Sequence, residues 1–191
     1  MFLAVSSGAS QQTKCSEGSP PEIRGLKLGL TVDEVAKKFN GIKIHAANDV
    51  GWRELVIQVS PANLDFSRGV VNLDRSSIVS TRTFPLFDGV GQLGLAFLDD
   101  RIYQIAVAYT TPPRWRNVDE FAGQLSLAFG LPVASWEDDE DGVREIQCGR
   151  FRIRAKLDPD PVIRIFDPSA PIVISARKVE REEKKRGAFK P

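Results

Sequence analysis

Histidine, cysteine and methionine are scarce in this chain: one His, two Cys and one Met, the first residue, among 191. So small a stock leaves little for a transition-metal site or for imidazole acid–base chemistry. No apolar run approaches the roughly 20 residues a helix needs to cross a bilayer. Neither sign of charge dominates. Lys and Arg number 26 against 25 Asp and Glu, so no global field draws the chain to nucleic acid or an anionic membrane. Gly-rich phosphate loops and βαβ alternation are absent as well. What is present is 42% hydrophobic and 27% charged residues, enough for one sizeable core or two small ones.

The two ends differ from the middle. Met1-Phe2-Leu3-Ala4-Val5 followed by Ser6 to Gln12 reads as the end of a signal peptide, apolar and then small residues, and this favours export to the periplasm or medium over a cytoplasmic location. Residues 1–22 are therefore signal remnant or flexible linker, closed by Ser16 to Pro21. From 177 to 191 seven cations mix with three anions, a pattern of solvated, charged tail. The cysteines, Cys15 and Cys148, form no CxxC pair. Export would permit a Cys15–Cys148 disulfide pinning the N-terminal segment to the late sheet; a cytosolic setting would leave Cys148 as a buried thiol.

Two stretches open in the same way. Thr31 and Asn117 are good N-caps, and Glu34 and Glu120 three residues on can accept from the capping residue's amide. Asp33 and Asp119 add charge at the positive end. Val32, Val35, Ala36 and Phe39, then Val118, Phe121, Ala122, Leu125 and Phe129, recur at helical spacing. Gly41 and Gly130 end the two helices. Between and after them strands alternate: Leu55, Ile57, Val59; Leu93, Leu95, Phe97; Tyr103, Ile105, Val107, Tyr109; Phe151, Ile153, Ala155, Leu157. Asp99-Asp100 is a hairpin turn, and another lies near Gly149-Arg150. Further strands are expected over 144–148, 162–166 and 172–176. The pattern predicts an α+β protein, an antiparallel sheet with helices packed on one face. It divides into two related half-units, 23–113 and 114–176, each starting with a capped helix.

Leu26-Lys27-Leu28-Gly29-Leu30-Thr31-Val32-Asp33-Glu34-Val35, a short helix ending near Gly41, and strands carrying Phe97-Leu98-Asp99-Asp100-Arg101-Ile102 resemble the BamE-like (SmpA/OmlA) group. They also resemble the beta-lactamase inhibitor protein fold, in which two such units stand in tandem. The likeness covers roughly residues 24–41 and 93–106, with an echo at 117–132. It implies a small extracytoplasmic protein that binds other proteins or serves in outer-membrane assembly. It transfers no catalytic residue, and Cys15 lacks the lipid box of the lipoproteins.

Four places carry residue types that bear on chemistry. Arg150, Arg152, Arg154 and Lys156 alternate with the apolar residues of one strand and so share its other face; Arg164 extends the stripe from a neighbouring strand. Such aligned cations suit an acidic protein surface, a phosphate chain or an anionic lipid. They equally suit a solvated sheet face covered by long side chains. No aromatic shares the cationic face of that strand, which disfavours single-stranded nucleic acid. Arg114-Trp115-Arg116 either packs the start of the second helix or offers an aromatic anchor between two cations. The acidic run Glu137 to Asp141 with Gly142 is no EF-hand, since position 12 of that loop would be Cys148. His45 and Asp49 belong to no nucleophile motif. The expectation is a non-enzymatic binding or structural protein, without cofactor or metal, whose partner is another protein. A small-ligand binder or hydrolase using the groove between half-units is one alternative, and a cytosolic polyanion binder another.

Overall fold

Period-two alternation dictates where the core forms, because each strand has one apolar face to bury. The structure is a computed structural model that describes residues 20–23, 25–38, 46–60, 76–80, 90–109, 115–139, 142–157 and 161–188. Among the described residues eight strands form one sheet: β1 (Trp52–Ser60), β2 (Ser76–Ser80), β3 (Val90–Leu98), β4 (Arg101–Tyr109), β5 (Glu137–Asp138), β6 (Arg144–Cys148), β7 (Phe151–Lys156) and β8 (Val162–Phe166). Their order across the sheet is β2-β1-β3-β4-β8-β7-β6-β5. Only the edge strand β2 runs parallel to its neighbour; the other seven strands are antiparallel. Three helices, α1 (Val32–Lys38), α2 (Val118–Phe129) and α3 (Ala170–Ala188), pack against it. The expected α+β class thus holds. No helix among the described residues is long and apolar enough to cross a membrane.

Leu55, Leu95, Ile105, Ile165, Ile153 and Ile146 lie in register across six successive strands, and all are buried. Leu93, Val107, Ile163 and Ala155 form a second buried row. Val35 of α1 and Phe121 and Leu125 of α2 join these rows in one core. Burial of a large aliphatic side chain contributes about 1.5–3 kcal/mol, so this inner face dominates the stability of the sheet.

The caps form as the residue types require. At α1 the Thr31 amide donates to Glu34 Oε2 (2.7 Å) and the Glu34 amide to Thr31 Oγ1 (3.3 Å), a reciprocal capping box. The Thr31 amide and the Thr31 hydroxyl (2.9 Å), both donating to Glu34 Oε2, hold that carboxyl below its ordinary value. At α2 the Glu120 amide donates to Asn117 Oδ1 (2.8 Å), but the Glu120 carboxylate reaches one residue further, to the Arg116 amide (2.9 Å). The start of α1 is sewn to the β3–β4 hairpin: the Val32 amide donates to the Asp100 carbonyl, and the Ile102 amide to the Leu30 carbonyl. Asp99 and Asp100 both have positive φ (49° and 62°), the backbone of a two-residue primed turn, and the short polar side chain of Asp tolerates it.

The structure departs from expectation at several points. α1 ends at Lys38, and Gly41 lies outside the described residues. A bulge pairs Ala96 with Gln104 and Phe97 with Ile102, so Tyr103 is an extra residue and Ile102 takes the inward place that plain alternation assigns to Tyr103. The strand expected over 172–176 is instead the first part of α3, which continues through the charged stretch to Ala188. Asp167 Oδ1 accepts from the Ser169 amide (2.8 Å) and hydroxyl (2.6 Å), so Asp-Pro-Ser-Ala-Pro is a helix start, not a strand boundary. Only Ala170 and Ile174 of α3 are buried. Charge holds the rest: Arg177 is bidentate on Asp99 (2.7 and 2.8 Å) and donates to the Val50 carbonyl (3.0 Å), and Arg181 pairs with Asp49. The expected Cys15–Cys148 disulfide falls partly outside the described residues, because Cys15 is not among them; Cys148 is not a free cysteine. Cys148 shares the parity of Ile146, which turns it inward, and it is fully buried. The signal-remnant region up to residue 19 lies outside the described residues too.

Candidate functional site

The face of the sheet opposite the core is where the sequence-derived candidates meet. Alternation along β7 turns Phe151, Ile153 and Ala155 inward and Arg152, Arg154 and Lys156 outward. Register then fixes their neighbours. One row reads Gly94, Ala106, Arg164, Arg154, Glu145 across β3, β4, β8, β7 and β6. The next reads Ala96, Gln104, Phe166, Arg152, Gln147.

A network anchors the two central arginines. Arg154 Nε donates to Glu145 Oε2, and its Nη2 lies 3.4 Å from Asp139 Oδ2. Its guanidinium stands 5.6 Å from the centre of the Phe166 ring, within cation–π range. The hydrogen bond to Glu145, more than Coulomb attraction, raises the Arg154 guanidinium above its ordinary value. Arg152 Nε donates to Gln147 Oε1, and Nη1 pairs with Glu145 Oε1 at 3.1 Å. Glu145 therefore serves both. Arg164 is directly opposite Arg154, is exposed, and has no hydrogen-bond or ion-pair partner among the described residues. Lys156 is likewise exposed.

Beside this cationic ridge the outer face of β3 and β4 carries small residues, Gly94, Ala106 and Ala108, between Gln92 and Gln104; Ala96 on the same face is buried. Gly94 has no positive φ, and a Cβ built there would meet Ala106 Cβ at 3.5 Å, ordinary contact. Neither backbone nor crowding demands glycine at this place. The result is a shallow trough flanked by Arg164, the cross-strand neighbour of Ala106.

The remaining candidates do not join this face. Arg114 lies outside the described residues. Trp115 is half-buried on the core side, its ring 4.2 Å from that of Phe121 and 5.5 Å from that of Tyr109. It packs the start of α2. The Arg116 side chain is 91% exposed, 3.6 Å from Glu120. Arg150 is exposed in the β6–β7 turn. In the acidic run, Asp138 pairs with Arg144, which also pairs with Asp119, and Asp139 reaches Arg154; residues 140 and 141 lie outside the described residues. No group of three metal-ligating side chains occurs among the described residues, and His45 is outside them.

Sequence reasoning missed two features of the open face. Phe166 is an aromatic on the cationic face, contributed by β8; its parity with Arg164 was the available signal. Tyr103 Oη accepts from Trp52 Nε1 (3.1 Å), and partial burial raises its hydroxyl above the ordinary value. That contact depends on the bulge and had no sequence signal. A separate cavity of about 920 Å³ opens between the β3–β4 and β6–β7 turns and the start of α3. Among its polar groups, Arg101 donates to the Gly29 carbonyl (3.0 Å), Asp167 accepts from Ser169, Asp99 pairs with Arg177, and Arg150 is exposed. Comparison with family models, with curated proteins and with solved structures finds no match for the chain.

Proposed function

We propose that this chain is a non-enzymatic binding protein that uses the open face of its sheet to hold another protein. The observation that carries the reading is the pairing of an anchored cationic ridge with an adjoining, partly exposed strip of small residues, Gly94, Ala106 and Ala108, on the same sheet face. Interfaces need a shape that admits the partner and polar groups held in place beforehand. Arg154, fixed by Glu145, Asp139 and Phe166, meets the second need, and the trough meets the first.

The tandem, BamE-like or inhibitor-like reading forms part of the proposal. Its support is the strand order, in which β1-β3-β4 and β6-β7-β8 meet at β4 and β8, each set preceded by a capped helix. The sets differ in detail: α1 is tied to the β3–β4 turn, whereas α2 lies on β6 and β7. The extracytoplasmic location rests on the Met1–Gln12 pattern alone, and fractionation of the source cells tests it.

The face itself is tested by placing a photo-crosslinking amino acid at Ala106 and, as control, at Leu127, which is 74% exposed on α2. A discrete adduct in source cells from position 106 and none from 127 is the expected result. Equal or absent labelling at 106 overturns the assignment.

A further inference from the structure

Resting on that reading of the face, we infer that the partner is an acidic protein segment that places a carboxylate between Arg154 and Arg164 and an apolar side chain over Gly94 and Ala106.

The charges argue for the carboxylate. The outer face of β6, β7 and β8 carries Arg152, Arg154, Lys156 and Arg164 against Glu145, with Asp139 and, on the edge strand β5, Glu137 at the margin. Glu145 is thus shared between Arg152 and Arg154, Asp139 adds a second carboxylate at Arg154, and Arg164 and Lys156 have no partner among the described residues. Arg154 and Arg164 face each other across the β7–β8 ladder. Like charges directly opposite on neighbouring strands oppose folding. Here Glu145 and Asp139 offset the charge of Arg154, while Arg164 beside it has no such carboxylate among the described residues. A carboxylate bound between the two guanidiniums turns the repulsion into two charge-assisted contacts, and Arg presents the planar fork that such recognition uses.

The trough argues for a protein as the carrier of the carboxylate. Ala106 is the cross-strand neighbour of Arg164, so cation and trough lie in one row, at the spacing of adjacent strands. An extended or helical segment with an acidic residue beside an apolar one fits both at once. A nucleobase finds no stacking platform here, because the Phe166 ring already lies against Arg154. Glu145, in the middle of the ridge, further disfavours a polyphosphate chain.

The test is fluorescence anisotropy with three labelled probes at physiological salt: a Gly-Glu-Tyr-Glu-Tyr-Glu-Gly peptide, the same peptide with Lys for Glu, and a single-stranded oligodeoxythymidine. The full chain is expected to hold the acidic peptide at least about tenfold more tightly than the Lys peptide and the oligonucleotide. Arg164→Glu should abolish that preference, and Gly94→Val should weaken the acidic peptide by about fivefold or more. Arg116→Glu, a charge reversal on the α2 side, should change nothing. Circular dichroism confirms that each variant is folded, and Arg164→Ala, at an exposed position, serves if the reversal does not fold. The inference is overturned by equal binding of both peptides, by indifference to Arg164, or by tighter binding of the oligonucleotide. If the Ala106 adduct persists in the Arg164→Glu variant, the binding face stands and the acidic partner fails. If no adduct forms at Ala106, the face itself fails.

Discussion

Ile165 and Arg164 are adjacent in β8 but lie on opposite faces, and truncating each to alanine should give opposite results. Ile165→Ala removes three carbon atoms from a fully buried site in the row that crosses six strands. At about 0.8 kcal/mol per buried carbon the transfer loss is about 2.4 kcal/mol. The hole left between Ile105 and Ile153 brings the expected cost to about 3–4 kcal/mol, inside the range of about 2–5 for such truncations. In a domain of this size that lowers the melting temperature by roughly 6–16 °C. Arg164→Ala removes an exposed side chain and its repulsion with Arg154, so stability should be unchanged or rise by up to about 1 kcal/mol. Guanidinium unfolding followed by tryptophan fluorescence reads both, with an unchanged slope confirming that only stability has moved. A loss below about 1 kcal/mol for Ile165→Ala, or a loss of similar size in both variants, would refute the register on which the inner and outer rows depend.

Thr31→Ala should cost about 0.5–2 kcal/mol by opening the capping box, measured by the same unfolding assay. Ser126 is buried and its Oγ accepts from Trp136 Nε1 at 2.7 Å, so Trp136→Phe leaves a buried hydroxyl short of a partner and should cost about 1–3 kcal/mol. Asp100→Val places a branched side chain at a φ of 62° and should destabilise by about 1–2 kcal/mol or more, whereas Asp100→Gly should not incur that backbone strain. The hydrogen bonds from Arg177 lower the folded Asp99 carboxyl below its ordinary value. A group depressed on folding stabilises fully above its unfolded value and loses that contribution as pH falls through the folded value. Amide exchange over 178–188, corrected for intrinsic rates, should therefore accelerate on acidification below the ordinary carboxylate range. The Asp99→Asn variant should show fast exchange already at neutral pH, with no further acid response from this pair.

The inner face was legible because period-two alternation needs no tertiary information: Leu93, Leu95, Ile153 and Ile165 declare themselves one strand at a time. The caps were legible for the same reason, since Thr31 with Glu34 and Asn117 with Glu120 act over three residues. Pairing order is a different kind of property. Nothing local in Val162–Phe166 says that it lies between β4 and β7, and so Phe166 could not be seen to stand under Arg154. The helix α3 was misread because Ile172, Val173 and Ile174 are β-branched and fenced by prolines. The Asp167–Ser169 cap and the Glu180–Lys184 pair four residues apart outweigh that propensity. The stripe of cations was visible along β7, but its division into a shared, anchored pair and a lone Arg164 depends on Glu145 lying one strand away.

The contact between β4 and β8 joins strands separated by more of the chain than any other pair in the sheet, everything from Tyr109 to Pro161. Loop-closure entropy makes that seam the costliest ladder to form, while the β3–β4 and β6–β7 hairpins close over two residues each. Assembly should therefore run as two locally formed meanders that meet at a single line of hydrogen bonds. A chain cut between Tyr109 and Trp115 would keep every ladder except that one within one fragment or the other. Whether two such fragments recover the fold when mixed measures how much of the cooperativity resides in one seam and the apolar row that crosses it.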